Sequence, residues 1–201
     1  MTRTWFVVAF FVVLALAWYF SFSASRLDRL HHRVEGARAS LDAQLVRRAD
    51  AAIELATSGR LDPASALLVA GAASEALGAG EREAPGDSAH TPEREQAESD
   101  LTEALTAALT ATLDVDVDVE PSGQGSGPEP DVLDRLASAG HRVQLARRFH
   151  NQAVTDAQRV RRKRVVRWFR LAGRAELPQT FEMNDELPPA LRPESPSAAS
   201  G

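Results

Sequence analysis

Between positions 159 and 170 the sequence reads RVRRKRVVRWFR, seven cations with Trp168 and Phe169 among them, in a chain whose formal net charge is −5. Three partners suit such a run: nucleic acid, an anionic lipid surface, or an acidic stretch of the same chain. The overall acidity opposes nucleic acid, which is not expected as a partner. Arg159, Arg161, Arg162, Lys163, Arg164, Arg167 and Arg170, with Trp168, instead form the pattern of an interfacial segment: cations for anionic headgroups and an indole for the boundary layer. Each cation near such a leaflet contributes roughly 1 kcal/mol. The acidic stretch 81–131 is the rival, docking on the run in cis, and a solvated helix end without a partner is the plainer reading.

The residues that do covalent or metal chemistry are sparse or badly spaced. There is no cysteine, which excludes disulfides, thiolate metal sites and cysteine nucleophiles. The histidines are His31, His32, His90, His141 and His150, and none belongs to a His-Glu-x-x-His or Glu-x-x-His pattern, so their spacing predicts no metal site. Serine occurs in no Gly-x-Ser-x-Gly elbow and no Ser-x-x-Lys pair. The glycines of SGQGSG, 122–127, are not followed by Gly-Lys-Ser/Thr, so no phosphate loop forms there. No catalytic residue and no cofactor is expected. The alternative is a hydrolytic or metal-assisted enzyme with an unrecognised site; a convergent cluster of buried polar residues would favour it, and a uniform alanine and leucine core would oppose it.

The elements that must position these residues read as helices. Residues 5–24 carry no charge and are long enough, at about 20 residues, to cross a bilayer as a helix. A transmembrane anchor over 1–25 is therefore expected, a cleaved signal peptide being the competitor. Arg26, Arg29, Arg33 and Arg38 follow it, which places the remainder in the cytoplasm by the positive-inside rule. From 26 to 58, Leu27, Leu30, Val34, Leu41, Leu45 and Ile53 recur at helical steps, and Gly59 is the expected stop. Asp62 and Pro63 open a second helix through about Leu77. A third covers about 93–113. The run DVDVDV that follows alternates like a strand, but aspartate disfavours strands, so 114–130 is expected to be an acidic flexible linker, as is 79–92. A fourth helix starts near Asp131 and runs to about Gly173, and the segment 177–201 is expected to be an extended, largely disordered tail. The fold class is all-α: a transmembrane helix followed by an antiparallel bundle of about four helices over 26–176.

Two stretches carry a resemblance. VEGARASLDAQLVRRADAAIELA, 34–56, and LARRFHNQAVTDAQ, 145–158, resemble the two motifs of the bacterial LemA family in the right order, and LPQTFEM, 177–183, is similar to its closing segment. His150 stands where that family commonly has a second aromatic. The resemblance implies a membrane-anchored helical bundle without established catalysis, a scaffold or interaction module with the lipid bilayer and an unidentified protein as partners. It marks Gln44, Arg47, Arg48, Asp50, Arg148 and Asn151 as the candidate interaction surface. The plainer reading of Arg47, Arg48 and Asp50 is the polar face of the first helix, with Asp50 paired to Arg147 or Arg148. Asn151 either bonds between helices or is solvated.

Overall fold

The structure, a computed structural model, describes residues 2–83, 90–116, 131–162 and 177–192. Four helices, α1 (Thr2–Thr57), α2 (Pro63–Arg82), α3 (Pro92–Asp116) and α4 (Val132–Arg161), are followed by a single 3-10 turn at Pro189–Leu191. Among the described residues there is no strand.

Local chemistry places the helix ends. Gly59 takes φ 77°, a left-handed conformation that ends α1 at little cost for a residue without a Cβ. Asp62 then accepts from the Ala64 and Ser65 amides at 2.9 and 3.1 Å, and Pro63 occupies the first helical position. Asp131 caps α4 at the Val132 amide, 2.7 Å away, while its other oxygen takes Arg60 at 2.8 Å and so ties the starts of α2 and α4 together. The helix α2 does not stop at Leu77 but continues through Gly78 and Gly80 to Arg82. Gly80 is there for space: a Cβ on it would stand 1.5 Å from the Arg94 guanidinium. Likewise α3 runs on to Asp116, so both expected acidic loops begin later than predicted; 84–89 and 117–130 lie outside the described residues.

The spine is α1 against α4, with α2 packed on α1 and α3 on α2. The chain reverses at each connection, so α4 runs back along α1. Leu41 and Leu45 meet Val143 and Ala146, and one end of α4 reaches Val34 through Ala153, Val154 and Ala157. The larger core lies at the opposite end, where Leu55, Val69, Leu101, Leu105 and Leu136 pack among many alanines. Each fully buried leucine contributes about 1.5–3 kcal/mol. The alanines let helix axes approach closely without adding side-chain entropy to the folding cost.

The expected disordered tail is corrected in its described part. Residues 177–192 lie across the bundle as an extended strap whose Phe181 is wholly buried. Phe181 and Met183 complete the cluster around Leu41, Leu45, Val143 and Ala146, and Leu191 joins the larger core. Leu187 fits because Gly140 has no side chain; a Cβ there would stand 2.6 Å from it. The strap is low in hydrophobic periodicity because it has no helical face to present, only single anchors.

The expected anchor is also corrected. Among the described residues no helix is long and apolar enough to cross a membrane. What the first part of α1 does show is exposure. Trp5 and Phe6 keep 77% and 76% of their surface open, and none of the side chains described from 4 to 18 is buried.

Candidate functional site

The core is not uniformly apolar. Arg48, Arg94, Glu98, Thr102 and His150 are all buried. Glu98, on α3, sits between two guanidiniums: Arg48 from α1 donates to its Oε2 at 2.6 Å, and Arg94 donates to Oε1 at 3.1 Å. Arg48 also reaches the Glu98 carbonyl at 2.9 Å and the Thr102 hydroxyl at 3.0 Å. Thr102 lies 2.7 Å from the Asn184 carbonyl, which carries the network into the strap. A carboxylate between two cations, with Arg48 fixed by further bonds, is a cross-brace whose specificity comes from geometry.

A second cluster adjoins it at the turn between α2 and α3. Glu83 closes α2, and its Oε1 accepts the Thr91 amide at 2.7 Å. Its Oε2 faces His90 Nδ1 at 3.1 Å and Arg38 of α1 at 3.2 Å. Asp42, one turn along α1 from Arg38, places Oδ1 3.7 Å from the same His90 nitrogen. That oxygen is buried and accepts no hydrogen bond. Burial raises the Asp42 carboxyl above the ordinary aspartate value, opposed by the nearby His90, Arg38 and Arg94 charges. At Glu83 burial pushes in the same direction, but the Thr91 amide with His90 and Arg38 outweighs it, and its carboxyl lies below the ordinary glutamate value. The donor atoms of Asp42, Glu83 and His90 all lie within 4.8 Å of one another, the one group among the described residues with the makings of a metal site.

His90 is fixed from behind. Its ring meets Phe181 edge-on at 4.5 Å between centroids and His150 at 5.6 Å. His150 Nε2 lies 3.4 Å from the Gln179 carbonyl, so the strap closes over both rings. Burial is the main reason that the His150 pKa falls to about 4, with the positive charge of His90 and Arg38 adding to it. The folded pKa therefore lies below the unfolded value near 6.5. Stability from this group is complete above pH ~6.5 and is lost as pH falls toward 4, because only the unfolded chain takes up the proton. The loss should reach about 2–3 kcal/mol. Urea midpoints measured between pH 7 and pH 4 should show a steeper decline for the native chain than for His150→Gln; equal declines would contradict a neutral buried imidazole.

The residues marked by the family resemblance separate into different roles. Gln44, Arg47 and Asp50 line one open groove between α1 and α4, opposite Asp134, Arg135 and Arg142. Arg48 does not join them, since it is buried against Glu98. Arg147, expected beside Asp50, instead holds Asp185 of the strap at 2.8 and 3.0 Å. Arg148 is exposed. Asn151 neither bridges helices nor is solvated: it receives the Phe181 amide at 2.8 Å and donates to the Phe181 carbonyl at 3.1 Å. Of the basic run, Arg159 is exposed beside Asp156 at 4.0 Å, Arg161 and Arg162 end α4, and Lys163, Arg164, Arg167, Trp168 and Arg170 lie outside the described residues.

Sequence spacing missed Asp42, Glu83 and His90 because they come from three segments that only packing unites. The one local signal is the Thr91-Pro92 helix start after His90, with Arg94 capped by Thr91 at 3.2 Å. No protein-family model and no curated protein matches this chain. The geometry defines the class: an up-and-down helical bundle closed by an extended C-terminal strap over a buried polar cluster.

Proposed function

We propose that this chain is a non-catalytic scaffold or interaction module, a helical bundle that associates with a lipid bilayer through the exposed apolar part of α1. The observation that carries this reading is the surface of that segment. Trp5, Phe6, Val7, Val8, Phe10, Phe11, Val13 and Leu14 are all exposed. At 100° per residue they surround the helix instead of lining one stripe, and a helix apolar all round requires an apolar environment. Lipid supplies that environment without needing a complementary shape. Association is all that the proposal requires; crossing is not part of it. The LemA-like motifs support the same reading, since that family combines a helical bundle with the membrane. The groove with Gln44, Arg47 and Asp50 is the surface offered to a protein partner.

Anionic lipid is the proposed second contact. The end of α4 lies beside Val34, which brings Arg159, Arg161 and Arg162 to the end of the bundle nearer the apolar part of α1. A metal-assisted enzyme is the second reading, favoured by one observation, the convergence of Asp42, Glu83 and His90.

Flotation with neutral and anionic vesicles tests the lipid reading. The full chain should float with both, and more strongly with anionic vesicles at low salt. Phe10→Asp with Phe11→Asp should abolish flotation with either. Arg159→Gln with Arg161→Gln and Arg162→Gln should remove only the anionic increment, roughly tenfold or more in partition coefficient at about 1 kcal/mol per cation. Flotation indifferent to the two phenylalanine substitutions would overturn the proposal.

A further inference from the structure

The cluster of Asp42, Glu83 and His90 has no use in lipid association, and it is built in a way that a surface ion pair is not. We infer that these three side chains form a binding site for a divalent transition-metal ion of the zinc class, with Asp42 Oδ1, Glu83 Oε2 and His90 Nδ1 as ligands. The separations of His90 Nδ1 from the two oxygens are 3.1 and 3.7 Å. Ligands ~2.0–2.1 Å from a tetrahedral ion stand about 3.3 Å apart, so the two distances bracket the value with no rearrangement of backbone. One nitrogen and two carboxylates suit zinc better than the all-oxygen preference of calcium or magnesium.

The independent observation is the state of the donor atoms. Asp42 Oδ1 is buried and accepts no hydrogen bond. An acceptor left so loses its water without replacement, and a bound ion is the partner that it lacks. His90 is almost wholly buried, its side chain 1% exposed, and its Nδ1 is aimed between the two carboxylates. The supports expected around metal ligands are present as well. The Thr91 amide holds Glu83 Oε1 and leaves Oε2 directed inward, and Phe181 fixes the plane of the His90 ring. Such partners set ligand orientation and with it affinity.

Arg38 sets the conditions of binding. Its guanidinium lies 3.2 Å from Glu83 Oε2 and 3.9 Å from Asp42 Oδ2, so it already balances part of the carboxylate charge. A divalent ion must compete with that cation and must displace the proton by which Nδ1 donates to Glu83. Binding is therefore weakened by Arg38. The arginine is a tuning residue, and its removal should strengthen the site.

The test is titration of the full chain in detergent micelles with Zn2+ by calorimetry and with Co2+ by visible absorption. One ion per chain is expected, with Co2+ giving the intense bands of a four-coordinate site. Asp42→Asn, Glu83→Gln and His90→Gln should each weaken binding by at least about tenfold, the scale that even supporting partners command. Arg38→Gln should bind several-fold more tightly. This variant keeps the donor set and gains rather than loses function, so a failure to fold cannot imitate its result. Absence of stoichiometric Zn2+ and Co2+ binding would overturn the assignment. Binding that survives unchanged in all three ligand variants, or that weakens in Arg38→Gln, would place the ion elsewhere and overturn it equally. Vesicle flotation of Asp42→Asn should match that of the native chain, which keeps the outcome separate from the lipid reading.

Discussion

Glu98→Ala is expected to destabilise the bundle by about 3–5 kcal/mol, the cost of breaking a buried ion pair from one side. The carboxylate is 1% exposed and is the shared partner of Arg48 and Arg94, themselves buried. Its loss leaves two guanidiniums without a counter-charge in a site that water cannot reach. Arg48 would retain the Glu98 carbonyl and Thr102 hydroxyl, but neither carries a full charge. The thermal midpoint should fall by about 10 °C for a chain of this length. Replacing all three charged residues with apolar ones, Arg48→Met, Glu98→Leu and Arg94→Leu, should recover most of the loss, because the desolvation cost disappears along with the attraction. Calorimetric scans of the two variants beside the native chain check both statements. A shift under about 1 kcal/mol for Glu98→Ala would show that the network is hydrated and contributes little.

The second large effect is expected at the strap. Phe181→Ala should cost about 3–5 kcal/mol, the usual range for a buried aromatic truncated in a packed core. Phe181 is fully buried among Leu41, Leu45, Val143 and Ala146, and its ring also fixes His90. Its backbone bonds both ways to Asn151. Side chain and backbone therefore hold the same segment, and their losses should not add. In a double-mutant cycle with Asn151→Ala, the coupling should exceed about 0.5 kcal/mol, since once the strap has left the groove the second substitution has little to remove. Limited proteolysis separates local from global failure. Cleavage should appear first within 177–192 in Phe181→Ala, while α1 and α4 stay protected; simultaneous loss of all helices would mean that the strap is part of the folding core.

Much of the helical layout was legible from the chain because its causes are local. Gly59, Asp62 with Pro63, and Asp131 act on neighbouring backbone groups, so the breaks between helices could be read without knowing the fold. The apolar stripes Leu41, Leu45 and Val143, Ala146 likewise identify faces that must be buried. What they face could not be read. The second helix was expected to end near Leu77, but it continues through Gly80, and the space that Gly80 leaves for Arg94 depends on α3 lying beside α2. The strap was misread for a related reason: Phe181, Met183 and Leu191 are isolated anchors in a proline-rich segment, and nothing periodic announces that a groove between α3 and α4 awaits them.

The polar residues show the same division more sharply. The amino-acid sequence by itself determined an all-α chain with an acidic balance, no thiol chemistry, a basic run near its end and an uncharged apolar run near its start. Tertiary structure alone decided that Arg48 leaves the motif surface for the core, that Asn151 serves the strap, and that Asp42, Glu83 and His90 converge. The physical reason is range. Capping, propensity and periodicity act within one or two turns, whereas burial and ion pairing depend on which distant segment excludes the water. A charged side chain carries no mark of which it will meet until the helices have packed.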